Sequence, residues 1–301
     1  MNIKVIEKRK IFLGLAIILV FLSWVSIGVF GLRQGIDITG GTKWQVAFSE
    51  KINEEKLIQT IENIRGRRDF SITSLNDGSF LIHFPFLSES EHQSLLQDLP
   101  KQISGVQEKT FSSIGSTIGS EIRKRAFWAI FLVLVGISLY VAWAFRKVSR
   151  PIKSWKYGIV TLITLLHDIS IPTGLLALLG YLKGIEIDTN FIVALLTVMG
   201  FSVHDTIVVF DRIRENLLIN RGRNFSLGEI INQSIKETFG RSVSTSSTLF
   251  LVLLALLFFG PESLFYFVLT ILVGTFFGTY SSIFVASPLL YVWQKKSSKV
   301  Q

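Results

Sequence analysis

The chain has 301 residues, 49% of them hydrophobic, a formal net charge of +9 and no cysteine. A mean hydropathy of +0.48 is too high for a typical soluble protein of this length, and the apolar residues fall in long blocks, so the class is a polytopic membrane protein. Disulfides, thiolate catalysis and cysteine-held metals are excluded. The basic excess lies beside apolar blocks, where topology and anionic lipid headgroups ask for it, and does not point to nucleic acid.

Residues 1–10 are basic, with Lys4, Lys8, Arg9 and Lys10 against Glu7. Residues 11–31 follow as an apolar run, too long for a typical signal-peptide core and without a clear small-x-small cleavage site before Arg33. Residues 1–31 therefore read as a cytoplasmic N-terminus and an uncleaved first span.

Residues 32–125 are the one long hydrophilic segment. Gly40-Gly41 supplies permissive backbone at a turn. Residues 42–48 read as a strand with Trp44, Val46 and Phe48 on one face. Residues 53–64 carry Leu57, Ile58, Ile61 and Ile64 at helical spacing. Residues 70–75 and 79–86 flank Asn76-Asp77-Gly78, a hairpin signal. Residues 88–103 read as a second helix, with Ser88 as N-cap and Glu91 at the capping-box position. Residues 106–114 are a last strand. The order β-α-β-β-α-β is that of a small α+β ferredoxin-like domain.

Residues 126–301 hold spans two to six. Residues 126–145 are the second span; Arg146, Lys147, Arg150, Lys153 and Lys156 after it place that loop in the cytoplasm. Residues 157–182 are the third, interrupted by His167, Asp168 and Pro172, with a kink expected at the proline. After a short outside loop, the fourth span carries His204 and Asp205 near its far end. Residues 211–240 are polar but periodic, with Ile213, Leu217, Leu227, Ile230, Ile231 and Ile235 on apolar faces that are broken at residues 220–224. With Arg212, Arg214, Arg221, Arg223 and Lys236 this segment reads as amphipathic on the cytoplasmic surface. Residues 241–260 are the fifth span, 264–293 hold the sixth, and the tail carries Lys295, Lys296 and Lys299. Only Arg123-Lys124-Arg125 runs against the charge rule, and charges at the edge of a long translocated domain weigh less. Six spans with both termini inside is the expected topology.

An ionisable group inside a span costs roughly 2.5–3.5 kcal/mol on insertion scales and is a functional-site hypothesis by default. Asp205 lies about six residues from the cytoplasmic end of its span, near 9 Å at roughly 1.5 Å per residue. Arg241 opens the fifth span and heads a hydroxyl stripe of Ser244, Thr245 and Thr248. The two could meet at similar depth. Desolvation raises a buried carboxyl and a nearby cation lowers it, so a carboxylate balanced between them can exchange protons. Asp205, Arg241, Thr245, Asp168 and His204 are the candidate proton-relay residues. Each has a structural reading beside it: Asp205 as a paired carboxylate, Arg241 as a positive-inside anchor, Asp168 as a partner to a neighbouring helix. His204 either adds a titratable group or stands as one polar side chain among others; its helical angle turns it away from the Asp205 face. Gly274-x-x-x-Gly278 lets another helix approach closely. No zinc-ligand cluster and no nucleophile motif supports a covalent reaction, so neither enzyme activity, a metal nor a cofactor is expected.

Several stretches carry a resemblance: Asp37-x-x-Gly40-Gly41; Ser113-Ile114-Gly115-x-x-Ile118-Gly119-x-Glu121; His167-Asp168; the run GFSVHDTIVVFDRIREN from Gly200; Arg241-Ser242-Val243-Ser244-Thr245-Ser246; and Gly278-Thr279-Tyr280-Ser281-Ser282-Ile283 with Ala286-Ser287-Pro288. Together they resemble the SecF family of bacterial Sec translocase membrane subunits. His204 stands where that family usually has Asn, and Ser242 where it usually has Thr. The resemblance implies half of an RND-type transporter core, six transmembrane helices with a periplasmic ferredoxin-like domain between the first two. It implies SecD as the partner supplying the other six spans, the SecYEG channel and a translocating preprotein beside it, and membrane lipids around it. The implied work is coupling proton flow to protein export across the cytoplasmic membrane, with the residues matching Asp205 and Arg241 implicated. A passive scaffold and an RND-type small-molecule exporter stay open, although an exporter should carry a second large outside loop.

Overall fold

The computed structural model describes residues 4–49, 52–75, 77–146, 152–220 and 225–298. Asn76, Lys147, Arg150, Arg221, Arg223 and Lys299 thus lie outside the described residues. The chain divides into two compact units, one of residues 34–127 and one of the segments on either side.

The smaller unit opens with the short helix α2 (Ile36–Thr39) and continues β1 (Gly41–Phe48), α3 (Glu54–Arg65), β2 (Ser71–Ser74), β3 (Phe80–Phe84), α4 (Glu89–Gln102) and β4 (Val106–Ile114). The sheet order is β2-β3-β1-β4, and every neighbouring pair is antiparallel. That is the ferredoxin-like arrangement. The period-two residues Trp44 and Val46 of β1 and Ile82 of β3 are fully buried, and they pack with Leu57 and Ile61 of α3 and Leu95 and Leu99 of α4. Trp44 cannot bury its indole N–H unpaired. It donates to Glu108 Oε2 at 2.6 Å, and the same oxygen lies 2.6 Å from Nε2 of the buried His92.

Helix α4 starts at a capping box. Glu91 N–H donates to Ser88 Oγ at 3.4 Å, and Ser88 N–H donates back to Glu91 Oε2 at 3.0 Å. The backbone and hydroxyl bonds from Ser88 hold the Glu91 carboxyl below its ordinary value. That contribution is present above the ordinary glutamate pKa of about 4.3 and is lost as pH falls through the lowered one. Ser88→Ala should cost about 1 kcal/mol. Amide exchange in the first turn of α4, measured in the full chain, should accelerate about fivefold, since 1.4 kcal/mol is tenfold.

The larger unit holds α1 (Arg9–Phe30), most of α5 (Ser116–Ala144), α6 (Ser154–Lys183), α7 (Thr189–Ile219), α8 (Leu227–Phe259), α9 (Phe265–Ser281), a π-helical turn (Ser282–Ala286) and α10 (Ser287–Ser298). Among the described residues six helices are long and apolar enough to cross a membrane, the last counted through α9 and α10. In lipid such segments must satisfy every backbone group internally, which the helix does. Their ends are written in the chain: Asp188 Oδ1 accepts from Phe191 N–H at 3.0 Å to start α7, and Gly184 at φ 71° ends α6. Helix α6 continues through Pro172.

Half or more of the apolar window of α6 and α7 is buried (56% and 50%), as is 56% of the last span, against 11–17% for α1, α5 and α8. The former therefore form the centre. Gly274 and Gly278 of α9 make this possible: a Cβ at Gly274 would run into Val198 of α7, and one at Gly278 into Ser202.

One expectation is corrected here. Residues 211–240 are not a separate amphipathic segment on a surface. Helix α7 runs on to Ile219 and α8 begins at Leu227, so residues 211–219 and 227–240 are the ends of two long helices, parted where the sequence broke the apolar faces. Ile213, Leu217, Ile230, Ile231 and Ile235 are buried in the bundle core. Asn216 Nδ2 donates to Ser234 Oγ at 3.0 Å and to Glu237 Oε2 at 2.7 Å, and Arg212 Nε meets Glu237 Oε2 at 2.6 Å. An apolar helical stripe has the same period whether it faces lipid or a neighbouring helix.

Candidate functional site: two buried carboxylates in the bundle

Asp168 of α6 is fully buried. A bare carboxylate there would be prohibitive, and three donors surround it. His167 Nδ1 lies 2.8 Å from Oδ1. Oδ2 accepts from Ser281 Oγ of α9 at 2.8 Å and from Ser202 Oγ of α7. Asp205, one helical turn beyond Ser202 on α7, is 5% exposed and accepts from Ser282 Oγ at 2.5 Å.

The two acids are thus tied by consecutive serines. Ser281 serves Asp168 and Ser282 serves Asp205, at the point where α9 gives way to the π turn. π turns inside α-helices occur frequently at functional sites. Each hydroxyl also has a backbone oxygen in reach: Gly278 O lies 3.1 Å from Ser281 Oγ, and Thr279 O lies 3.0 Å from Ser282 Oγ. A serine has one proton to donate. It can give it to an ionised carboxylate, or turn it to the helix carbonyl and accept from a protonated acid. Ser281 and Ser282 can therefore each serve either protonation state of the acid they meet.

Arg241 does not join this cluster. It is exposed, and among the described residues no hydrogen bond or ion pair joins it to Asp205. Its face of α8 carries Ser244, Thr245 and Thr248, all exposed. On α7, which packs against α8, Thr197, Gly200 and His204 are exposed. The expected meeting of Asp205 and Arg241 within this chain is corrected for a geometric reason. Asp205 points inward to the last span, whereas Arg241 and its stripe point away from the bundle. Thr161 and Thr164, which share a face with Asp168, bond their own backbone carbonyls instead of the acid. The partners Ser202, Ser281 and Ser282 were not singled out from sequence. Ser281 and Ser282 stand in the stretch of residues 278–283 and Ser202 in the run from Gly200, but nothing local in either stretch says that these hydroxyls meet the acids.

In the smaller unit, Gly40 at φ 77° and Gly41 at φ 128° follow Asp37 in α2. A Cβ on Gly40 would meet the backbone of Ser116, and one on Gly119 would meet Gly40 N. The paired glycines let the start and end of this unit pass backbone to backbone.

The sequence profile described as "Protein export membrane protein SecD/SecF, C-terminal" matches residues 95–296, and that described as "SecD/SecF GG Motif" matches residues 25–51. A protein translocase subunit SecF of Thermobaculum terrenum is 41% identical, with 98% of this chain and 95% of that protein covered. The chain belongs to the SecF family. A second SecF, from Anaerolinea thermophila, is 34% identical over 97% of this chain and 94% of its own length. The crystal structure of SecDF from Thermus thermophilus superposes with a TM-score of 0.81 at 33% identity, covering 98% of this chain but 39% of that longer one. The SecF family accounts for the six-helix polytopic fold with its small α+β unit. The GG-motif match contains Asp37, Gly40 and Gly41, and the C-terminal match contains Asp168, His204, Asp205, Arg241 and Thr245.

Proposed function

We propose that this SecF-family chain works with SecD to couple the proton gradient to protein export across the cytoplasmic membrane, beside the SecYEG channel. The observation that carries this reading is a pair of buried carboxylates in the spanning bundle, each bonded to a serine able to serve both protonation states. Membrane potential supplies about 2.3 kcal/mol per charge per 100 mV to such a site. Asp205 and Asp168 take and release the proton.

Arg241, Thr245 and His204 act from the other side. A guanidinium and hydroxyls on the outer face of a spanning bundle are costly in lipid. A second bundle covering that face would satisfy them. SecD is the partner proposed, and the SecDF relatives, which carry extra length in one chain, support it. Arg241 then tunes protonation across the interface between the halves.

In this reading both termini and residues 211–240 are cytoplasmic, and residues 32–125, with the motif Asp37, Gly40 and Gly41, are periplasmic. Cysteines placed singly in this cysteine-free chain check the orientation. A membrane-impermeant maleimide added outside should label position 63 and spare position 233; the reverse pattern overturns the topology.

Arg241→Lys tests the functional reading. Lysine keeps the charge but lacks the planar fork. Export into vesicles containing SecYEG, SecD and this chain should lose most of its gradient-dependent increment with Arg241→Lys while complex formation persists. Near-normal export would reduce Arg241 to an anchor.

A further inference from the structure

Two cavities lie along α1 and share Leu13 and Ile17 in their linings. The first, of about 610 Å³, lies between α1, α6 and the last span; Leu13, Ile17, Val20 and Trp24 of α1 face Ile163 and Leu166 of α6 there. The second, of about 590 Å³, shares Leu13 and Ile17 and opens where α1 begins and α10 ends. Among the described residues its lining includes Arg9, Lys10 and Lys295 and no acid. Tyr291 organises the mouth: the Arg9 guanidinium lies 5.3 Å and the Lys295 ammonium 5.9 Å from its ring centroid. Arg9 is also held by a bond from Nη1 to Ile6 O at 2.8 Å.

Taken end to end along α1, the two cavities are cationic at one end and apolar along the rest. From Leu13 to Trp24 is eleven residues, about 16 Å at 1.5 Å per residue. One leaflet of a hydrocarbon core of about 30 Å is about 15 Å deep. The groove therefore has the charge and the length of a single lipid lying in its own leaflet. We propose that it is a selective site for one anionic phospholipid, with the phosphodiester held by Arg9, Lys10 and Lys295 and an acyl chain running along α1 toward Trp24. His167, which lines the deep cavity, bonds Asp168 through Nδ1. The acyl chain would then wall the carboxylate cluster from that side. The lipid site itself does not depend on the proton-coupling reading.

Trp24 reports occupancy. The full chain is placed in phosphatidylcholine nanodiscs doped with phosphatidylglycerol or phosphatidylcholine brominated at mid-chain. The Trp24 signal is the fluorescence difference between the native chain and Trp24→Phe. Juxtamembrane cations each favour an anionic lipid, so half-quenching should need about tenfold less brominated phosphatidylglycerol than phosphatidylcholine. The combined change Arg9→Gln, Lys10→Gln and Lys295→Gln should raise the phosphatidylglycerol value to the phosphatidylcholine one, with the phosphatidylcholine curve unmoved. In the native chain, salt should shrink the preference through screening, a readout that needs no variant at the mouth. Equal half-quenching by the two lipids, no quenching of Trp24 by either (as if a partner helix filled the groove), or a preference surviving the triple change would overturn the proposal. So would displacement of the lipid by soluble glycerol phosphate at the same concentration, since that would mean an anion site without a chain.

Discussion

Asp205→Asn should leave the chain inserted and in complex with SecD, and should reduce gradient-dependent export to the level seen without a gradient. Asparagine has the shape of aspartate, and its side-chain oxygen can still accept from Ser282 Oγ, which lies 2.5 Å from the native carboxylate. The bond from Ser282 is therefore kept while the titration is gone. Export into vesicles with an imposed proton gradient, compared with and without ionophore, reads the increment directly. Ser282→Ala is the companion measurement. It keeps the acid but removes the hydroxyl that serves both protonation states, and should leave an impaired increment with a shifted pH profile. If assembled Asp205→Asn exports with a full gradient-dependent increment, the carboxylate is a structural pin and the coupling reading fails.

The second large effect is on the fold. Gly274→Leu should prevent the bundle from assembling, seen as loss of the folded chain after detergent extraction. The position has no room for even one carbon, because a Cβ there would collide with the Val198 side chain of α7. Overpacking typically costs about 1–3 kcal/mol for modest additions, and a four-carbon side chain set against the Val198 side chain exceeds that. Gly274→Ala should show a milder loss of thermal stability, and Val198→Ala added to it should recover much of that loss. Such non-additivity is the signature of direct contact. Additive losses would place the effect elsewhere in α9.

Gly274 also shows how the two levels of information divide. Its spacing from Gly278 announces a close helix contact, but nothing local says which helix approaches. The same holds for the paired acids. Asp168 and Asp205 stand out in the sequence because a carboxylate in an apolar run is costly. Their partners do not, because Ser202, Ser281 and Ser282 are common in spans as small packing residues. The expectation that Arg241 would meet Asp205 rested on depth alone. Depth fixes distance along the membrane normal and says nothing about rotation about the helix axis, and that rotation sends Asp205 inward and Arg241 outward.

Composition and periodicity determined what depends on solvent and local backbone. The length of each apolar run decides that it spans, since about 20 residues cross the hydrocarbon and any shorter helix leaves backbone groups unsatisfied. The strand and helix periods of residues 42–114, with the Ser88 cap and the Gly40-Gly41 turn, determined the small α+β unit, because those signals act within a few residues. The tertiary structure alone decided three further things. Ile213, Leu217, Ile230, Ile231 and Ile235 face other helices of the bundle. Two serines at a π turn join Asp168 to Asp205. The polar stripe headed by Arg241 faces out of the bundle. Each depends on which helix lies against which and at what rotation. That choice is made by the summed packing of residues far apart in the chain, so no local window of the sequence contains it.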